Sequence, residues 1–176
     1  MNDLTKAPET TSGTNISHFM AHRGAVIIKE TRPIGFVNGM YDAILNVETL
    51  ILTIVKAGKQ NVVYGIVFRH NSSDGKEKSA AHLDFDEIEE LINALDFIGK
   101  TAAEILEAER DYTELIYATK DDAKFGFFQK AATQTAFVLL SRLFTMFLTL
   151  DALDDIKIIL QAAKKHLVEK GAQVIV

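Results

Sequence analysis

The chain contains no cysteine and no tryptophan. Without thiols there is no disulfide, no thiolate metal site and no cysteine nucleophile, and the composition suits a reducing cytoplasm. Proline is confined to Pro8 and Pro33, so regular elements meet few breakers. Positive charge is in deficit. Against 24 Asp and Glu stand 19 Lys and Arg, for a formal net charge of −5. That disfavours a general nucleic-acid binder and leaves only a local patch open. Long hydrophobic runs are also missing. The longest, Ala136 to Leu150, has 15 residues and contains Arg142, too short to span a bilayer. The start, MNDLTKAPETTSGTN, has no basic segment leading into an apolar one. No signal peptide is expected, and the expected compartment is the cytoplasm.

What the chain does have is apolar material and a repeat. Of its 176 residues 48% are hydrophobic, enough for one domain, or two small halves sharing a core, without covalent staples. Leu83-Asp84-Phe85-Asp86-Glu87-Ile88-Glu89-Glu90-Leu91 aligns, 65 residues on, with Leu148-Thr149-Leu150-Asp151-Ala152-Leu153-Asp154-Asp155-Ile156. The same offset sets Leu50-Ile51 on Leu115-Ile116. A shorter one sets Tyr64-Gly65-Ile66-Val67 on Phe125-Gly126-Phe127-Phe128. Self-similarity of this kind signals a repeated structural unit.

Residues 1–16 are rich in Thr, Ser and Asn and predict a mobile tail, leaving 17–176 as a single domain. Strands are predicted at Ala25 to Ile28, Ala43 to Val55, Val62 to His70 and Lys78 to Leu83 from their β-branched runs and the turn signals between them. Pro33 marks an edge, a bulge or a turn. Further strands are predicted at Thr113 to Thr119, Lys124 to Gln129, Thr135 to Leu140 and Phe144 to Leu148. The link Ser141-Arg142-Leu143 lacks glycine, so a helix across this region is the competing reading.

Two amphipathic helices follow from period-3.6 patterns. In the first, Asp84 and Glu87 form a capping-box pair, Ile88, Leu91, Ile92, Leu95 and Ile98 face the core, and Glu87, Glu90 and Lys100 face water. The second begins near Thr149 or Asp151 and buries Leu153, Ile156, Ile159, Leu160, Ala163 and Leu167. The expected fold is α+β: antiparallel sheets with two amphipathic helices, built as a repeat of four strands and a helix. The two halves are expected at about 43–107 and 112–170, with the strand near Val26 outside the repeat.

No motif carries chemistry. Ala94 to Thr101 matches a relaxed phosphate-loop pattern, but Leu95 and Ile98 belong to the helical stripe, so its amides are committed to helix bonds. Nucleotide binding through Lys100 is not expected. His18 and His22 have the spacing of a helical metal pair, without a carboxylate to complete the site. His70, His82 and His166 complete the histidines and suggest no cluster. Asp84 to Asp111 holds ten acidic and two basic residues, read as a solvated helix face. No catalytic, cofactor or metal residues are assigned. Arg69, Lys76 and Lys78, on and beside the Asn71 to Gly75 hairpin tip, are the candidate binding residues, able to reach phosphates. Tyr64, Phe125, Phe127 and Phe128 suit base stacking or, more simply, a core. Asn15-Ile16-Ser17 and Asn71-Ser72-Ser73 are sequons, meaningful only in a secreted chain.

Thr31-Arg32-Pro33-Ile34-Gly35, Asn38-Gly39-Met40-Tyr41 and Leu83 to Ile88 are similar to segments of small bacterial proteins of no assigned activity. That resemblance implies a bacterial stand-alone domain. The doubled plan resembles in topology the Whirly single-stranded-DNA-binding proteins, without a shared sequence motif. A pleckstrin-homology-like barrel is a third topology for the same string. The leading expectation is a non-enzymatic binding or scaffold module that meets a protein partner or a second copy through a sheet face, loop or oligomer interface. The alternatives are a single-stranded nucleic-acid-binding protein and an enzyme whose residues meet only in space.

Overall fold

The computed structural model describes residues 13–105 and 110–173. The first twelve positions of the expected tail therefore lie outside the described residues. Positions 15 and 16 do not belong to a tail, because a short helix, α1 (Asn15–Met20), begins there and Ile16 is fully buried. The signal for it was Thr14, whose hydroxyl accepts the Ser17 N–H and caps the helix.

Eight strands follow, rich in β-branched and aromatic residues. Strands β1 (Val26–Asn38), β2 (Ile44–Lys56), β3 (Lys59–Asn71) and β4 (Glu77–Asp84) form one sheet in chain order. Strands β5 (Arg110–Ala118), β6 (Lys124–Ala131), β7 (Thr133–Ser141) and β8 (Phe144–Leu148) form a second in the same way. Every neighbouring pair is antiparallel. Each sheet leads into a helix, α2 (Ile88–Ile105) or α3 (Asp151–Glu169). The fold is α+β, a four-strand-plus-helix unit repeated. The stretch around Arg142 is a turn between two strands, so the competing helical reading does not apply.

The repeat begins earlier than expected. β1 is the first strand of the first sheet, so the unit starts at Val26 and that strand lies inside it. Pro33 sits beside a register shift between Pro33 and Gly35, and β1 runs on through it. The strand alignments at Leu50 and Tyr64 are one strand out of step. Chain order makes β2 the counterpart of β6 and β3 that of β7. Short β-branched and aromatic runs resemble one another from strand to strand, so an alignment on a few residues can slip by a whole strand. The helix alignment stands. At the 65-residue offset, buried Ile88, Leu91, Leu95, Ile98 and Ala102 match buried Leu153, Ile156, Leu160, Ala163 and Leu167.

The helices are exchanged between the units. α3 lies on β1 and β2 of the first sheet, and α2 lies on β5 and β6 of the second. Ile159 of α3 packs over Gly35, and the Tyr64 hydroxyl donates to the Lys170 carbonyl at 3.2 Å. On the other side Gln134 Nε2 donates to the Ala102 carbonyl at 2.7 Å. The helices also touch each other, through Lys157–Asp96 at 3.2 Å and Lys164–Glu89 at 2.6 Å. One apolar core joins both units, with Phe68 and Phe125 meeting edge to face at 5.2 Å. A side chain buried there contributes about 1.5–3 kcal/mol relative to exposure.

The turns are exchanged as well. The Met40 N–H donates to the Phe147 carbonyl at 2.8 Å, and the His82 N–H donates to Asp121 at 2.7 Å. Phe147 and His82 are themselves counterparts at the 65-residue offset. Each unit's first turn thus hydrogen-bonds the last strand of the other, at one point on each of those two sheet edges.

The α2 start corrects one expectation. Asp84 and Glu87 form the capping box, with the Asp84 N–H donating to Glu87 at 3.1 Å. Glu87 is nevertheless buried rather than in water. Its second oxygen accepts the Lys120 N–H at 2.8 Å, so one carboxylate serves the starts of both α2 and the β5–β6 turn. Burial pushes its pKa up, only partly offset by the Lys120 and Asp84 amides. Glu90 and Lys100 are exposed as expected.

Candidate binding face

The two sheets differ in what covers their outer faces. On the first, alternation turns Leu50, Leu52, Val63 and Gly65 away from the helices. Ile16 of α1 packs with Leu50 and Leu52, and Phe19, Met20, Ile27 and Val63 close around them. Gly65 permits this, because a Cβ there would strike the Ile16 Cδ1 and the Leu83 carbonyl. Asp84 holds α1 in place by accepting the Asn15 N–H at 2.7 Å and the Ile16 N–H at 3.1 Å.

The second sheet has diverged at the same positions. Leu50 pairs with Gly65, and Phe128 pairs with Thr135. Leu52 pairs with Val63, and Lys130 pairs with Thr133. Counting from Leu83 and Leu148, the counterparts of Leu50, Leu52, Val63 and Gly65 are Phe128, Lys130, Thr133 and Thr135. Asp84 is matched by Thr149. The glycine, the three aliphatic groups and the carboxylate that seat α1 are all replaced, so this face does not take an α1-like helix.

It presents aromatic rings instead. Tyr112 stacks on Phe128 with centroids 6.0 Å apart and planes inclined by 20°. Phe137 and Phe147 each lie 6.4 Å from Phe128. The Phe137 ring lies over Gly126, which leaves room for it. Tyr112 is 57% exposed and Ile116 49%. Lys124 and Lys130 stand on the same side of β6, and Glu114 on the same side of β5. The Tyr112 pKa is raised, first by desolvation and then by the Glu114 charge and hydrogen bond. Phe128 lies next to Phe127 and close to Phe125 in the sequence. Only those two are core, and the alternation Phe127 in, Phe128 out was the signal available.

The candidate residues of the hairpin are dispersed into local pairs. Arg69 contacts Glu77 at 2.6 Å and Glu48 at 3.5 Å. Its pKa is raised, chiefly by the Glu77 hydrogen bond. Lys76 contacts Asp74 at 3.2 Å, and Lys78 is exposed on β4. Tyr64 is half-buried, with its hydroxyl on the Lys170 carbonyl. The His22 Nδ1 lies 3.0 Å from the His18 carbonyl, a local turn contact. Residues 94–101 are helical throughout, within α2.

One acidic group is compact among the described residues. Asp84, Asp86 and Glu87 offer oxygens within 4.8 Å of one another. Lys120 Nζ lies 3.0 Å from Asp86 and 3.9 Å from Asp84, and backbone amides fill both oxygens of Glu87, so each carboxylate of the cluster already has a partner within the chain. Beside it, a cleft of about 470 Å³ is lined by Phe19, Val62, Tyr64, Asp84 and Phe85. No helix among the described residues is long and apolar enough to cross a membrane. No protein-family model, curated protein or solved structure matches the chain.

Proposed function

We propose that the chain is a non-enzymatic binding module whose working surface is the outer face of the second sheet. The observation that carries this reading is the open stack of Tyr112 on Phe128, on the face whose counterpart in the first unit is sealed by α1. Exposed aromatic groups gathered on one face mark interaction sites more often than scattered apolar groups do. The test is a photo-cross-linking residue placed at Ile116, with Val168 on α3 as an exposed control off the face. Cross-links in living cells from position 116 that Tyr112→Ala abolishes support the reading. Equal labelling from both positions removes it.

A second reading takes single-stranded nucleic acid as the ligand. Its support is Lys130, two residues from Phe128 on the same side of β6, with Lys124 further along that side and 3.8 Å from Asp122. Rings stack on bases, and lysines meet the backbone. The acidic residues of α2 itself, Glu89, Glu90, Asp96 and Glu104, lie on the helix that covers the opposite side of the second sheet, so the net charge of −5 overstates the obstacle. Anisotropy titrations with a labelled oligothymidine should give binding that weakens steeply with salt and is lost in Lys130→Glu. Absence of binding at low salt eliminates this ligand and leaves the first reading intact.

A further inference from the structure

Among the described residues, each sheet has one edge strand hydrogen-bonded by a turn of the other unit, β4 and β8, and one that pairs with no further strand, β1 and β5. The β5 edge is short and broken by a register irregularity between Arg110 and Thr113. The β1 edge is different. It pairs with β2 without interruption from Val26 to Pro33. It also exposes Val26 at 64% and Ile28 at 46%. An edge strand with unpaired backbone groups and exposed β-branched residues is open to pairing with a further strand.

We propose that β1 is a self-association edge. Two copies of the chain pair their β1 strands antiparallel about a two-fold axis at Thr31, joining the first sheets into one continuous sheet. The charges choose the register. Centred on Thr31, Glu30 stands opposite the partner's Arg32 and Arg32 opposite the partner's Glu30, in a ladder that runs from Lys29 to Pro33 of each copy. Centred on Lys29 or on Glu30, like charges face each other across the axis, which is unfavourable. Centred on Ile28, Glu30 and Lys29 lie against apolar residues and gain no partner.

In the single chain, Glu30 makes no ion pair among the described residues. Arg32 reaches only the His166 Nδ1, at 3.5 Å. Both charges are therefore available to a second copy. Pro33 lies opposite the partner's Lys29, and the register shift beyond it ends the ladder. A proline and a bulge at that point limit the pairing to a short segment and stop it from propagating. The surface is separate from the aromatic face, so the two assignments stand or fall independently.

The experiment is sedimentation across a concentration series. The wild-type chain should show a reversible monomer–dimer equilibrium. Glu30→Arg and Arg32→Glu each replace two attractive pairs by two repulsive ones and should weaken the dimer by roughly tenfold or more. The combined Glu30→Arg/Arg32→Glu chain restores the pairing and should return to near wild-type affinity. A fold defect would not be rescued by the second charge, so the swap separates docking from folding. Because the chain has no cysteine, Thr31→Cys supplies its only thiol. A short thiol-to-thiol linker should join two copies of this variant and not of Lys59→Cys, at the β2–β3 turn. A chain that stays monomeric, or a dimer indifferent to both reversals, overturns the proposal.

Discussion

Asp121 ties the β5–β6 turn to the last strand of the other unit through His82. One carboxylate oxygen accepts the His82 backbone N–H at 2.7 Å and lies 3.5 Å from the His82 Nδ1. The equivalent join on the other side is a plain backbone bond, Met40 to Phe147. The pseudo-symmetric contact has therefore acquired a titratable group in one copy only.

Burial pushes the Asp121 carboxyl up, but the hydrogen bonds from the His82 side chain and backbone and the His82 charge more than reverse it. The folded value thus lies below the ordinary carboxylate value. A depressed pKa contributes stability that is full above the unfolded value and is lost as pH falls through the folded one. Asp121→Asn should destabilise the chain by about 1 kcal/mol at neutral pH. It should also flatten part of the decline on acidification. Urea melts of both proteins from neutral into acid pH make the comparison, and parallel curves would rule the contact out as a source of pH dependence.

Glu87 carries the opposite sign. Its raised pKa means that the ionised form is held at a cost that is relieved as pH falls. Both oxygens are nevertheless occupied, by the Asp84 and Lys120 amides. A glutamine offers one acceptor where two donors wait. Glu87→Gln should therefore cost about 1–3 kcal/mol at neutral pH despite removing a buried charge. A stabilised variant would mean that desolvation outweighs the two bonds.

The local patterns in the chain were strong enough to place every later strand and both long helices, because alternation and period-3.6 stripes report burial directly. The α2 stripe from Ile88 to Ile98 is core as the spacing requires. What spacing does not carry is partnership between distant segments. Nothing near Glu87 announces that Lys120 will approach and bury it. Nothing in Thr14 to Met20 shows that Asp84 and Gly65 await a helix. The aromatic face was hidden for a related reason. Phe125, Phe127 and Phe128 are near neighbours in sequence, and only the register of β6 separates the two inside from the one outside.

Gly65 gives a direct test of the α1 seat. A methyl group at this position meets the Ile16 side chain and the Leu83 carbonyl, and the carbonyl belongs to a ladder that cannot retreat cheaply. Gly65→Ala should push α1 from the sheet and cost about 1–3 kcal/mol. Hydrogen exchange at the Asn15 and Ile16 amides should quicken more than at β6. Unchanged protection of those two amides would show that α1 is held by Asp84 alone.

The last prediction concerns how the halves fold. Leu91 and Ile156 occupy equivalent places on α2 and α3, and both are fully buried. They lie in one apolar cluster that spans both sheets, because each helix rests on the other unit's strands. Leu91→Ala and Ile156→Ala should each cost about 2–5 kcal/mol, as core truncations do. Phe97→Ala, on the exposed side of α2, should change little. Because neither unit covers its own sheet, each core variant should shift one cooperative transition, seen together by probes in β2 and in β6. Two separate transitions, with only the mutated half moving, would show that the exchanged helices do not couple the units. The exchange makes that outcome physically awkward: releasing α2 bares the second sheet, and releasing α3 bares the first.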